Sequence, residues 1–305
     1  MRTEIPKVLH AVLGRPMLAY VVDACREAGV ADCVGVVGYG KDQVIAAFRD
    51  DARVQWVEQT EQRGTGHAVL CCRAAVLNKY EHVLVLCGDG PLIRGETIRQ
   101  LVDKHLSASA AATLATAVLD DPTGYGRIQR DAAGKLLGII EQGDCTPEQR
   151  AIREVNPSYY CFRTADLFFA LDQVKPNNSK NEYYLTDAIA ILTHAGRSVQ
   201  AVTAVPPQDV FAANTRQELA LLNRVMRERI NDRHMTAGVT IVDPATTWID
   251  ARAEIGADTI IHPFVQIDGP VRIGRNCTIG PFARVAGAAN VPDGATHAPI
   301  GGAPR

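Results

Sequence analysis

Between residues 16 and 28, Met17, Val21, Ala24 and Cys25 recur at helical spacing, with Pro16 suited to a first turn and Gly29 to a stop. Short β-branched runs follow at 33–37 and 54–57, then a helical stretch at 65–77 and the apolar run 82–87. Strands alternating with helices predict a parallel sheet joined by crossovers. Such a sheet normally opens on a strand, whereas residues 1–7 are polar and lead almost directly into a helix. The first strand is therefore expected to be absent.

Farther along, 111–118, 125–128, 136–140 and 154–162 read as strands, broken by the turn Asp121-Pro122-Thr123-Gly124 and a loop at Gly143, which suits a mixed sheet with an inserted lobe. Helical patterns cover 165–172, 184–194 and 215–231. The last carries Leu219, Leu222, Val225 and Met226 on one side and reads as the connector between two domains. Asn214, with Gln217 three residues on, fits its N-cap.

From there the pattern changes. Ile249, Ile255, Ile261, Ile267, Ile273, Ile279, Val285 and Val291 sit six residues apart, and Gly256, Gly274 and Gly280 each follow one of them. A hexad of aliphatics is the mark of a β-helix solenoid, with glycine where the backbone must turn, and in the proteins that this run resembles three hexads make one coil, which implies two to three coils here. The expected organisation is a first domain at 1–213, a connecting helix at 214–234, the solenoid at 235–296 and a frayed Pro- and Gly-rich tail at 297–305.

Composition narrows the partners. Thirty-two basic and 34 acidic residues nearly cancel without a basic stripe, which argues against nucleic acid. The eight cysteines have neither a C-x-x-C pair nor zinc spacing and suit a reducing compartment. The N-terminus lacks an apolar secretory core, and the alanine-rich stretch 108–119 is too short to span a bilayer. A cytoplasmic protein acting on small molecules, without a membrane partner, is expected.

Two clusters could carry chemistry. Gln59, Gln62 and Gly64-Thr65-Gly66-His67-Ala68 open a helix after a strand. Thr65 fits a plain N-cap, or the free amides and glutamines bond a base edge or phosphate. In Gly88-Asp89-Gly90-Pro91-Leu92 an apolar strand ends in a carboxylate, where α/β sheets bind ligands, although Asp-Gly is also an ordinary turn.

Together with Pro6-Lys7-Val8-Leu9-His10, Gly124-Tyr125-Gly126-Arg127-Ile128, Asn181-Glu182-Tyr183-Tyr184-Leu185-Thr186-Asp187 and the hexads, these segments resemble, in order and spacing, the bacterial N-acetylglucosamine-1-phosphate uridyltransferases. The resemblance covers nearly the whole chain. It implies an α/β fold with a Rossmann-like, glycosyltransferase-A-like mixed sheet lacking its first strand, followed by a short left-handed parallel β-helix. The implied activity moves UMP from UTP to N-acetylglucosamine-1-phosphate and releases pyrophosphate, for cell-wall precursor synthesis. It further implies that Lys7 contacts phosphate and that Gln59, Gly64 and Thr65 hold the uracil, with Gln62 and Gly88 beside the nucleotide. Asp89 and Asn214 would hold Mg2+, and Gly126, Glu141 and Asn156 would line the sugar pocket. Longer β-helices of this type trimerise, so a homotrimer is the implied assembly. Plainer readings stand beside these: Lys7 as a solvated charge, Gly126 and Asn156 as turn residues, Glu141 as a surface carboxylate, Asn214 as a cap, and 181–187 as a support for a helix.

Family members begin with a strand and a glycine-rich loop, L-A-A-G-x-G-T-R-M, and Met1 aligns with its last residue. The chain as given is accordingly expected to lack its triphosphate grip and to be inactive or poorly folded, as a start codon placed too late would produce. It also stops before the acetyl-transferring part of bifunctional relatives, so no acetyltransferase activity is expected. Cys87 stands where a tyrosine is common. The alternatives are another sugar-1-phosphate nucleotidyltransferase, or a catalytically silent sugar-nucleotide binder or assembly module.

Overall fold

The computed structural model describes residues 3–30, 32–287 and 289–297. Two compact units emerge: Leu18–Val210 with the segment before His10, and His10–Met17 with the chain from Phe211 onward.

In the first unit the ten-residue strand Glu154–Arg163 is central. Its two edges pair antiparallel with His82–Leu86, Ala112–Val118 and Gly126–Arg130, the last of which pairs with Leu136–Ile140. Val199–Thr203 adds a parallel strand beside Ala112–Val118. Both faces are covered, so the central strands read as unbroken apolar runs while still alternating in space. Ala112, Leu114, Tyr160 and Phe162 face a core closed by the helices Thr164–Leu171 and Asp187–His194. Ala115, Ala117, Tyr159 and Cys161 face the opposite core, under the helices Met17–Glu27 and Gly95–Ser107.

The expected single sheet is in two pieces. Cys33–Val37 and Val54–Glu58 form their own parallel pair, and His82–Leu86 pairs along one edge among the described residues, all five of its residues half-buried.

Several elements differ from the sequence reading. The helices Lys41–Ala47 and Gly95–Ser107 and the strand Val199–Thr203 went unread. Lys41–Ala47 buries only Val44 and so shows no apolar period, whereas Gly95–Ser107 carries Ile98, Leu101, Val102 and the buried His105 on one side, a period that was there to be read. The stretch 65–77 breaks at Cys72 into Thr65–Cys71 and Arg73–Val76.

In the second unit Pro16 is not a first-turn residue. It ends the strand Arg15–Pro16, which pairs with Ala11–Val12 across Leu13 and Gly14 at φ 42° and 81°, the backbone a two-residue hairpin demands. The long helix runs Arg216–Thr236, and its N-cap is Thr215 in place of Asn214. Thr215 accepts from the Glu218 amide at 3.1 Å, and the Glu218 carboxylate accepts from the amides of Thr215 and Asn214 at 2.9 and 2.5 Å. The shift of one residue exchanges Gln217 for a carboxylate at N3, which the helix dipole favours.

The coils are parallel, with Trp248, Gln266 and Arg284 in one ladder and Glu254, Arg272 and Asn290 in another. A third ladder runs Thr240, Ile260, Thr278, Thr296. Ile249, Ile261, Ile267, Ile279 and Val285 are buried inside. Strands extend to His297, and of the expected 297–305 tail only His297 lies within the described residues. The glycines serve two purposes. Gly280 has φ 87°, but at Gly274 a Cβ would stand 2.6 Å from the Asp293 amide nitrogen and at Gly256 2.7 Å from that of Arg275. There the requirement is close approach of the next coil, not a turn.

Candidate functional site

Three groups of side chains gather in the first unit. The first stands at the carboxyl end of His82–Leu86. Asp89 sits in the following turn, and Lys7, opening a single 3-10 turn, places Nζ 2.5 Å from its Oδ2. Both side chains are partly exposed, so the pair contributes little stability and its position is the notable property. Pro6 is buried against Gly40, which steadies the segment carrying Lys7. Gly88 lies close under Leu18 and Val8, where a Cβ would come within 3.1 Å of Leu18. Beside them the Cys87 thiol is pushed up to about 11, first by burial and then by the Asp89 charge.

The second group is the loop entering the helix Thr65–Cys71. Gly64 is the N-cap, at φ 107°, and a Cβ there would lie 2.6 Å from the Tyr183 carbonyl. Thr65 does not cap the helix; its hydroxyl accepts from the Leu185 amide at 3.0 Å. Gly66 donates to the Tyr183 carbonyl at 2.7 Å, and the Tyr183 amide donates to Arg63 at 2.8 Å. The Gln59 amide donates to the Gly64 carbonyl at 3.1 Å and meets His67 Nδ1 at 3.0 Å. Gln62 lies over Gly38, where a Cβ would reach within 3.2 Å of its Nε2.

The third group is the pocket around Glu141. Gly126 and Asn156 are register partners, and a Cβ on Gly126 would stand 3.6 Å from a Glu141 carboxylate oxygen. Neither is a turn residue: each lies in a strand, and Asn156 is 5% exposed. Asn156 donates to the Tyr160 hydroxyl at 2.6 Å and accepts from the Ser158 amide at 3.1 Å. Glu141 is no surface carboxylate either. Burial raises its pKa, opposed by the Thr186 hydroxyl, which donates to it at 3.1 Å. Asp187 nearby is raised as well, by burial and then by Glu141.

The segment Tyr183–Asp187 thus touches the second group through its backbone and the third through Thr186 and Asp187. The first and third meet at Ser158, at φ 66°, which opposes the rise of the Cys87 pKa and whose amide donates to Asn156. Thr186 and Ser158 were missed as site residues. Thr186 lies inside a recognised motif, whereas no sequence pattern marks Ser158. Asn214 belongs to the other unit, where its amide donates to Glu218.

A hard cation such as magnesium takes oxygen ligands, commonly one or two carboxylates with the remainder from substrate phosphates and water. Asp89 has that chemistry. Among the described residues no three of His, Cys, Asp and Glu converge on one point, so a cage built from such side chains is not the arrangement. Among these residues, too, no helix is long and apolar enough to cross a membrane.

Among curated proteins, this chain is 44% identical over 264 residues to the Bifunctional protein GlmU of Pelotomaculum thermopropionicum, covering 87% of this chain and 57% of that relative. It is 45% identical over 268 residues to the protein of the same name from Geobacillus sp. strain WCH70, covering 88% and 58%. The chain therefore spans a little under three-fifths of the length of these relatives. Among solved structures, UDP-glucose pyrophosphorylase complexed with UDP-glucose matches with a TM-score of 0.56 over 74% of this chain and 91% of that chain. At 17% identity that likeness concerns the fold alone. The bacterial transferase hexapeptide model (six repeats) matches residues 252–287, and together with the domain before it matches a GlmU-type protein. The model of the MobA-like NTP transferase domain matches residues 1–173, more than half of the sequence, and the chain belongs to that family.

Proposed function

We propose that the chain transfers UMP from UTP to N-acetylglucosamine-1-phosphate with release of pyrophosphate. The observation that carries this reading is the half-buried Glu141, joined to Thr186 and set beside Gly126 and Asn156, in the same unit as the Lys7–Asp89 pair. A half-buried carboxylate with a raised pKa and an asparagine held by Tyr160 offer both acceptor and donor to a sugar bearing hydroxyl and amide groups. The Gln59–Gly64–Thr65 group supplies fixed polar atoms for a base.

In this reading the reaction is positioning and electrostatics. Lys7 would offer its ammonium to a phosphate, and Asp89, its ion-pair partner, is the carboxylate that would hold the metal. Magnesium, when bound, neutralises charge on the phosphate oxygens. The part of Asn214 in holding that metal is carried by the resemblance alone. A cytoplasmic location and assembly of three copies through the hexapeptide coils complete the proposal.

The test is pyrophosphate release from UTP, N-acetylglucosamine-1-phosphate and magnesium, with Asp89→Asn as control and calorimetric binding of UDP-N-acetylglucosamine alongside. Turnover that falls at least a hundredfold in Asp89→Asn supports the reading. Binding without turnover would favour the silent binder. A preference for glucose-1-phosphate over the N-acetylated sugar would overturn the substrate.

A further inference from the structure

Arg127 is 1% exposed and stands first among the largest fully buried side chains. Its hydrogen-bond partners among the described residues include no carboxylate. Nη1 donates to the Tyr125 carbonyl, Nη2 donates to Gln142 Oε1 at 2.7 Å, and Nε and Nη2 both reach the Arg150 carbonyl at 3.4 Å. The same Gln142 oxygen accepts from the Gly124 amide at 3.3 Å. One guanidinium and one side-chain amide thereby tie the turn before Gly126 to the loop that follows Glu141.

Burying a cation among carbonyls is expensive, and an apolar side chain of similar volume would usually serve stability as well or better. What the guanidinium offers instead is a planar fork with donors in fixed directions, which an ammonium cannot reproduce. Strand alternation places the Gly126 and Arg127 side-chain positions on opposite faces, so Arg127 does not line the pocket. It fixes what does. Gly126 precedes it in the chain, and Glu141 precedes Gln142, whose loop is closed by the Asp144 amide and Cys145 thiol bonding the Glu141 carbonyl at 2.9 and 3.3 Å.

We infer that Arg127, working through Gln142, is the positioning residue of the sugar half of the site, setting the spacing between Gly126 and Glu141. The inference rests on the uridyltransferase reading above. It separates the two halves of the substrate: Arg127 bonds neither the 59–67 loop nor the Lys7–Asp89 pair, so nucleotide binding should not depend on it.

The experiment uses the full chain with Arg127→Met, Arg127→Lys and the milder Gln142→Leu. Two quantities are read: the ratio of calorimetric Kd values for UDP and UDP-N-acetylglucosamine, and amide hydrogen exchange across the chain. The expected result is a sugar contribution to affinity reduced roughly tenfold or more in both Arg127 variants, with UDP affinity unchanged and lysine giving no rescue. Exchange should accelerate in 122–126 and 141–151 while Ala112–Val118 keeps its protection, and Gln142→Leu should move the same readings less. Loss of UDP and UDP-N-acetylglucosamine affinity together, rescue by lysine, or exchange rising throughout the sheet would overturn the inference in favour of plain stability. If the unaltered chain binds UDP-N-acetylglucosamine no better than UDP, the sugar reading itself fails. The exchange pattern then decides whether Arg127 orders the two loops.

Discussion

Lowering the pH from 7 to 5 should weaken the first unit through one buried histidine. His105 is fully buried, with Nε2 3.0 Å from His82 Nδ1 and Nδ1 3.0 Å from the Thr113 hydroxyl. Burial, then the neighbouring His82 and Arg163, hold its pKa down at about 4 against an ordinary 6.5. The unfolded chain therefore takes up this proton before the native state does, and stability falls as pH drops through 6.5 towards 4. With those two values the loss between pH 7 and pH 5 is about 2 kcal/mol, approaching ~3 kcal/mol below pH 4. His234, in the other unit, is likewise held at about 4, while Glu141 and Asp187, with raised values, act in the opposite sense. A difference measurement removes these. In a Trp248→Phe background the fluorescence of Trp56 reports the first unit alone, and urea unfolding at both pH values is compared with and without His105→Gln. The substitution lowers stability at pH 7, since it empties part of the site, but the stability difference between pH 7 and 5 should shrink by about 2 kcal/mol. An unchanged difference would refute the reasoning.

Three further outcomes follow from packing. Leu114→Ala, at a fully buried position in the central sheet, should cost about 2–5 kcal/mol in the same urea assay. Thr215→Ala removes the side-chain half of the capping box and should cost about 1 kcal/mol, read as an earlier unfolding transition of the second unit by Trp248 fluorescence. Gly274→Ala drives a methyl against the Asp293 backbone and should destabilise the coils by roughly 1–3 kcal/mol, whereas Gly287→Ala, with open space around it but φ 79°, should cost only its backbone strain.

What the sequence made legible was whatever carries a period. The hexads gave the coils because each aliphatic fills one interior position, and the unbroken runs gave the central strands because both sheet faces are covered. Elements held by tertiary contact were not legible. Val199–Thr203 is half-exposed and owes its existence to pairing with Ala112–Val118. Asn214 and Thr215 are both good caps in sequence, and only the reach of the Glu218 carboxylate chooses between them.

The candidate site shows the same division more sharply. Side chains named from the sequence, Gln59 from its cluster and Glu141 from the family resemblance, stand in separate groups along the chain. What binds those groups into one site is mostly backbone. Gly64 and Gly66 admit the Tyr183 carbonyl where any Cβ would stand within about 3.0 Å of it, and Thr65 accepts from Leu185. One residue later Thr186 reaches Glu141. A glycine-rich entry to a helix is commonly read as room for a phosphate. Here the space at Gly64 and Gly66 is already taken by the chain's own strap, so these glycines serve first to dock 183–186, and through it to set the distance between the nucleotide-side loop and the half-buried Glu141. Gly64→Ala should accordingly disturb Glu141 as much as it disturbs the loop. In calorimetry, UDP-N-acetylglucosamine affinity should then fall by more than UDP affinity does, and an equal fall in both would show that the strap carries nothing between them.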